Sequence, residues 1–169
     1  MPGRILPIQA HSSIDGDRVA PVPAQTFSAT ASTRARPPTI WKRLQAPETW
    51  NAVQGVDEVF DPQFDDGKLV GFKFHSTAAG RKYIGTATPG PREREKSLQW
   101  EIATSELKGW IRVELEPDGT ATTIHVTMHV ESVSFMASLG FPLITGAIAS
   151  GFQETADQFA RDLDAHESE

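Results

Sequence analysis

The sequence predicts an α+β domain in which helices cover one face of an antiparallel β-meander. Apolar and polar residues alternate in short runs between Gly55 and Glu131, as they do in strands with one buried face. Turn sequences such as Asp65-Asp66-Gly67 separate these runs, and connections this short join antiparallel strands. From Ser134 to His166 the apolar residues instead recur every three or four positions, which indicates one long amphipathic helix.

The composition excludes several classes of protein. A chain of 169 residues corresponds to about one domain, and the absence of cysteine excludes a disulfide framework and thiolate chemistry. The net charge of −6 and the lack of a basic stripe argue against nucleic-acid binding. No apolar run approaches the roughly 20 residues of a membrane-spanning helix. We therefore expect a cytoplasmic monomer or homodimer that neither binds nucleic acid nor inserts stably into membranes.

The N-terminal part divides into a leader and the start of the domain. Residues 1–24 mix prolines, glycines and scattered charges without either hydrophobic period, which is typical of a flexible leader. The folded domain is expected over residues 25–166. It begins with an alternating strand at Gln25–Thr33, which prolines terminate, and continues with two short helical segments at Thr39–Leu44 and Glu48–Val53.

Six further strands follow Gly55, which gives a sheet of seven strands. Turn residues separate them, including Pro89-Gly90-Pro91 and Pro117-Asp118-Gly119. The predicted strands are Val56–Phe60, Lys68–Ser76, Arg81–Thr88, Ser97–Thr104, Trp110–Glu116 and Thr122–Glu131.

Alternation with a period of two gives each strand an inward and an outward side. The outward side carries polar residues, among them Arg112, His125 and His129. Tyr83 is placed inward because its neighbour Lys82 is costly to bury. The inward residues are apolar: Val70, Phe72, Phe74, Leu98, Trp100, Ile102, Ile111, Val113, Leu115, Ile124, Val126, Met128 and Val130.

The last helix contains two glycines that need an explanation. Pro142 fits its first turn, where a missing N–H does no harm. Gly146 and Gly151 each cost about 1 kcal/mol relative to alanine in a helix interior. Either another backbone packs closely against them, or they leave room for a ligand. The apolar stripe of this helix is Met136, Leu139, Leu143, Ile144, Ala147, Ile148, Phe152, Thr155, Phe159 and Leu163.

Several local motifs accompany this order of elements, namely Pro38-x-Ile40-Trp41-x-x-Leu44, Pro47-Glu48-x-Trp50, Gly55-Val56 and Glu116-Pro117-Asp118-Gly119-Thr120. Together, the order and the motifs resemble the START-like helix-grip (SRPBCC) superfamily. They are similar to those of the bacterial polyketide cyclase/dehydrase and lipid-transport group. The sequence departs from the group at Ala46, where aspartate is common, and at Ala52-Val53, where a second tryptophan is common.

The resemblance implies a curved sheet that grips the long helix around an apolar cavity for a lipid, a sterol-like molecule or an aromatic polyketide. The aromatic inward side of the sheet agrees with such a pocket, although a completely filled core remains an alternative. The candidate ligand-binding residues are Phe72, Phe74, Tyr83, Trp100, Ile111, Val126, Met128, Met136, Leu143, Ala147, Ile148, Gly151 and Phe152.

Two further functions remain open. A polyketide cyclase or dehydratase needs a proton donor or acceptor inside the cavity, and the candidates are Tyr83 and, if the strand register shifts by one, Arg112. An interaction module without a ligand would use the exposed sheet face or the leader. His125 and His129 lie about 13 Å apart along a strand and cannot share one metal ion, so we expect neither a metal nor a cofactor.

Overall fold

The computed structural model describes residues 22–78 and 80–168. Most of the predicted leader, namely residues 1–21, lies outside these ranges. The first strand begins at Ala24, one residue earlier than expected. None of the helices in the described ranges combines the length and the hydropathy that a membrane crossing requires.

The predicted architecture is confirmed. Seven antiparallel strands form one curved sheet in the order β1-β7-β6-β5-β4-β3-β2. Two short helices follow the first strand, and a long C-terminal helix lies over the sheet. The elements are β1 (Ala24–Thr33), α1 (Pro37–Leu44), α2 (Pro47–Asn51), β2 (Val56–Asp65), β3 (Lys68–Ala78), β4 (Arg81–Glu93), β5 (Ser97–Ala103), β6 (Leu107–Asp118), β7 (Ala121–Ser132), α3 (Phe135–Ser138) and α4 (Phe141–Glu167).

An aromatic cluster forms the centre of the core. The rings of Phe72 and Trp100 meet edge to face with their centroids 5.1 Å apart, and Trp50 from α2 lies 6.0 Å from Trp100. Gly85 is required nearby, because a Cβ atom there would lie 2.1 Å from the ring of Phe74 on the neighbouring strand. From Phe72 onward β3 packs as the alternation predicted, but at the start of β3 Leu69 is buried in the core in place of Val70, where the pairing with β2 shifts register.

The prediction of a turn at Pro89-Gly90-Pro91 is wrong. Strand β4 continues through these residues with a register shift between Pro89 and Arg92, and the chain turns after Glu93. Prolines are tolerated at such a shift because no ladder hydrogen bond needs their missing N–H. The shift places Arg92 opposite Leu98, so its guanidinium lies over the Trp100 ring, 4.9 Å from the centroid, instead of in a solvated turn.

The C-terminal segment forms two helices instead of one. Ser134 caps α3 by accepting a hydrogen bond from the Ala137 N–H, and α4 starts after Gly140 with Pro142 in its first turn, as predicted. The predicted burial of Met136, Leu139 and Leu143 is wrong, because their side chains are 72%, 67% and 67% exposed. Met136 and Leu139 precede the break at Gly140, so helical spacing counted back from α4 does not place them on its buried side, and Leu143 is exposed on α4 itself.

Two polar side chains fix α4 along β1. The Gln153 amide accepts a hydrogen bond from the Thr30 N–H and donates one to the Thr30 carbonyl. Because β1 is an edge strand, these two backbone groups have no neighbouring strand on that side, and Gln153 satisfies them. Near the C-terminal end, the Asp164 carboxylate accepts hydrogen bonds from the Thr33 hydroxyl at 2.7 Å and the Arg34 N–H at 2.8 Å. The last helix is thus held at two points about three turns apart.

Candidate functional site

The main cavity lies between the sheet and the N-terminal half of α4. It has a volume of about 190 Å³. Strands β3, β5, β6 and β7 form its floor, and α4 with the loop between α2 and β2 forms its roof. The candidate ligand-binding residues that line it are Phe72, Phe74, Trp100, Ile111, Met128, Ala147 and Ile148.

A second cavity of about 140 Å³ lies further along α4. Val126 and Phe152, two more candidate residues, line this cavity and not the main one. Trp50, Val53 and Ile111 border both spaces. These two apolar cavities therefore share a wall, and most of the candidate residues line one or both of them.

Four of the candidate residues line neither of these two cavities, and one of the four, Tyr83, borders a separate recess. Met136 and Leu143 project into solvent near the start of the C-terminal segment. Gly151 faces the side chain of Gln54, whose Cδ would lie 2.6 Å from a Cβ atom at this glycine. A close approach therefore explains Gly151, although the approaching group is a side chain and not a backbone. Gly146 has no atom within 4 Å of its Cβ position and faces open space.

The roof residues between α2 and β2 escaped the sequence analysis. Val53, Gln54 and Val56 line the main cavity, although the sequence placed Val53 only at the end of a helical segment and Val56 only at the start of a strand. Loop residues have no hydrophobic period, so alternation could not identify them. The only local signal was the pair of valines flanking a glycine with φ of +90°.

The main cavity is apolar and carries no charge. None of the described residues that line it is ionisable. The hydroxyl of Ser76 donates to the Gly55 carbonyl at 2.6 Å, and that of Thr77 donates to the Asp57 carboxylate at 2.6 Å. These hydroxyls hold the β3 end to the roof loop. A ligand in this cavity would therefore meet mainly aromatic and aliphatic side chains.

One ionisable pair lies beside the cavity. Tyr83 and Glu106 border a recess of about 30 Å³ whose walls include Ser76, Leu107 and Ile144, which also line the main cavity. The Tyr83 hydroxyl donates to Glu106 Oε2 at 3.1 Å. Burial raises the pKa of Tyr83 above its usual value, and the hydrogen bond to Glu106 raises it further. Tyr83 is therefore a neutral hydrogen-bond donor near neutral pH.

Arg112 has no access to the cavity. It lies on the outward side of β6, where its Nε donates to Gln99 Oε1 at 2.8 Å and its guanidinium stacks on Trp110. The register shift that would turn it inward does not occur, since Trp110 pairs with His129 and Ile111 with Met128. Of the two candidate catalytic residues, only Tyr83 borders the interior.

Comparison with known proteins gives structural matches only. No protein-family model matches the sequence, and no curated protein is significantly similar to it. A START superfamily protein from Mycobacterium smegmatis is 14% identical over 79% of this chain and 97% of its own length, with a TM-score of 0.57. The Zhui aromatase/cyclase from Streptomyces sp. R1128 is 9% identical over 85% of this chain and 96% of its own, with a TM-score of 0.62. The protein TTHA0849 from Thermus thermophilus is 12% identical over 86% of this chain and 100% of its own, also with a TM-score of 0.62.

These likenesses show that the chain has the START-like helix-grip fold. The resemblance found in the sequence motifs is thus confirmed for the fold. The alignments cover 79%, 85% and 86% of this chain and nearly the full length of each solved protein.

Proposed function

We propose that this protein binds an apolar small molecule in the main cavity, between the sheet and α4. The observation that carries the proposal is the uncharged, largely aromatic and aliphatic lining of a space of about 190 Å³. Residues with small or adaptable side chains, such as Ala147 and Met128, border this space. Burial of apolar ligand surface against such walls would provide most of the binding free energy.

The cavity volume limits the size of the ligand. In an engineered protein, an apolar cavity of about 150 Å³ holds benzene. The main cavity, at about 190 Å³, has room for a small ring system or a short acyl segment. A longer ligand would extend into the second cavity if the side chain of Val53 in the common wall moved. The similar fold of an aromatase/cyclase supports aromatic polyketides as one ligand class, and lipids and sterol-like molecules are the others.

The first test compares two substitutions on the same helix. Ala147 borders the cavity, whereas Ala149 is also exposed but borders neither cavity. We expect Ala147→Phe to weaken binding of the fluorescent apolar probe N-phenylnaphthylamine about tenfold, because the added ring occupies ligand space. Ala149→Phe is the matched control and should bind the probe as the unmodified protein does.

Mass spectrometry of an organic extract of the purified protein would identify a ligand that copurifies with it. Equal probe affinity of both phenylalanine variants would contradict binding in the main cavity. An empty extract together with a protein that does not bind the probe would reject the proposed function. Thermal unfolding of both variants controls for a loss of folded protein.

A cyclase or dehydratase that acts on a ligand in the same cavity is the second candidate function. The observation that favours it is the Tyr83–Glu106 hydrogen bond in the adjoining recess. Neutral Tyr83 can donate a hydrogen bond to a ligand carbonyl, and the Glu106 carboxylate can accept a proton from an activated carbon. Two groups of this kind are the minimum for an intramolecular aldol condensation of a poly-β-ketone.

The enzymatic candidate requires a different test from the binding proposal. We expect Tyr83→Phe and Glu106→Gln to reduce the turnover of a synthetic poly-β-ketone by a factor of about 100 or more, while probe affinity remains unchanged. Arg112→Lys, on the outward side of the sheet, is the control and should retain full turnover. Full turnover by Tyr83→Phe would exclude its catalytic role, and unchanged probe binding would leave the binding proposal intact.

A further inference from the structure

Large apolar side chains project into solvent where α3 meets α4. Phe135 is 80% exposed, and Met136, Leu139 and Leu143 are 72%, 67% and 67% exposed. These four residues are called the corner patch below. No Asp, Glu, Lys, Arg or His lies between Glu131 and Glu154. Exposed apolar residues that occur singly are common on protein surfaces, whereas a cluster of this kind marks an interaction site.

The corner patch lies at the cavity end of the molecule. Leu143 is followed directly by Ile144, which lines both the main cavity and the Tyr83 recess. The Val133 N–H, just before α3, donates to the Glu106 carbonyl at 3.0 Å. This bond places α3 beside the β5–β6 turn. An apolar molecule that moved between the patch and the cavity would therefore travel only a short distance through water.

Two cationic side chains are found at the same end of the molecule. Arg81 and Lys82 begin β4, and the Arg81 side chain is 74% exposed. Arg81 Nη1 lies 3.4 Å from Glu106 Oε1, which connects this strand end to the β5–β6 turn beside α3. Apolar side chains that enter the acyl boundary, with neighbouring cations near the phosphates, are characteristic of interfacial membrane binding.

We propose that the corner patch docks onto the surface of a phospholipid bilayer. The cations Arg81 and Lys82 beside the apolar patch complement the phosphates of a bilayer, whereas a second copy of this chain, with its net charge of −6, offers no such excess of anionic headgroups. Docking at this corner brings the cavity end to the lipid surface, where an apolar ligand enters or leaves. The exchange of ligand rests on the proposed function, whereas the docking itself does not.

The test is flotation of the full chain with vesicles of phosphatidylcholine alone and of phosphatidylcholine mixed with phosphatidylglycerol. We expect the unmodified protein to float with both and to bind the mixed vesicles more tightly. Replacing Met136, Leu139 or Leu143 with glutamine should weaken partitioning by about tenfold for each side chain that enters the bilayer. Arg81→Ala should remove most of the gain from phosphatidylglycerol. Ile84→Gln is the matched control, since Ile84 is 61% exposed elsewhere on β4.

Several outcomes would overturn the docking proposal. One is a protein that does not float, and another is flotation that the glutamine substitutions leave unchanged. A third is a dimer in analytical ultracentrifugation that Leu139→Gln dissociates, which would show that a second copy covers the patch. Probe binding measured on the same variants separates the two proposals. Flotation through the patch by a protein that binds no probe would support docking and reject the proposed ligand function.

Discussion

The two halves of α4 pack differently against the rest of the protein. In the C-terminal half, Ala156, Ala160 and Leu163 are buried. In the N-terminal half, Leu143 is 67% exposed and Gly146 faces open space. The C-terminal half is bonded to the end of β1 through Asp164 and borders the smaller second cavity, whereas the N-terminal half forms the roof of the main cavity. The two ends of one long helix over a curved sheet can therefore border different cavities.

Side-chain size explains much of this difference. Ala156 and Ala160 share a core cluster with Ala29 and Ala31 of β1, so small residues meet small residues and the helix approaches the strand closely. The N-terminal half instead lies over the main cavity, whose floor includes residues of β3 and β5. There the helix presents Ala147 and Ile148, which do not fill the space below them.

A pair of leucine substitutions tests the contrast most strongly. Leu163 is 1% exposed in the anchored half, and Leu143 is 67% exposed in the other half. Leu163→Ala should lower the free energy of unfolding by about 2–5 kcal/mol, because it leaves a cavity in the core. Leu143→Ala should change it by less than about 0.5 kcal/mol. Urea unfolding of both variants measures the difference.

One outcome would contradict the prediction for the two leucine substitutions. A loss at Leu143 similar to that at Leu163 would mean that the corner patch is covered in the folded protein. The measurement should be made well below micromolar concentration and repeated at higher concentration, because burial by a second copy would make the loss depend on concentration.

Removal of the Asp164 carboxylate should have the next largest effect. The hydrogen bond from Thr33 holds the pKa of Asp164 below its usual value, and the Arg34 N–H adds to the shift, while partial burial opposes it. Asp164→Ala should lower the free energy of unfolding at pH 7 by about 1–2 kcal/mol, because it removes both hydrogen bonds. Asp162→Ala, whose carboxylate is bonded by the exposed Gln158 of the same helix, is the control.

The effect of Asp164 should also depend on pH. Because its pKa is lower in the folded state, the charged carboxylate stabilises the fold fully above the unfolded-state pKa, which is near 3.8. This part of the stabilisation disappears as the pH falls through the lower folded-state pKa. Acid titrations of stability should therefore show the unmodified protein and Asp164→Ala converging below about pH 3.8. A difference in stability that stays constant well below pH 3.8 would exclude the charge of Asp164 as the cause.

The sequence predicted the sheet well because its signal is local. The strand at Ser97–Ala103 buries Leu98 and Trp100 in the predicted phase, although Gln99 between them, predicted to be solvated, is also buried and accepts a hydrogen bond from Arg112. The path of the chain through Pro89-Gly90-Pro91 was not predictable in this way, since a register shift depends on the partner strand. The break at Gly140 likewise separated residues that one helical period had grouped. A pattern of two or 3.6 residues describes one regular element and not the junction between two.

The cavity was less predictable than the fold. Alternation identifies which side of a strand is buried, and it correctly placed Phe72, Phe74 and Trp100 on the inward side. It contains no information on whether the opposite helix fills the remaining space. That depends on how far α4 stands from the sheet, which the bond between Gln153 and Thr30 helps to fix. The roof residue Gln54 comes from a loop and could be found only in the folded structure.

The two helix glycines provide the most sensitive comparison within the N-terminal half of α4, where both of them lie. A Cβ atom at Gly146 would meet nothing within 4 Å, whereas one at Gly151 would lie 2.6 Å from the Gln54 side chain. Gly146→Ala should therefore raise the free energy of unfolding by about 0.5–1 kcal/mol through the entropy of the unfolded chain. Gly151→Ala should raise the free energy of unfolding by less, because the Gln54 side chain must move to make room for the Cβ atom. It should also alter probe binding, since Gln54 lines the main cavity. Gly151→Ala in a Gln54→Ala background should recover the full gain in urea unfolding, and the absence of recovery would show that Gln54 is not the obstacle.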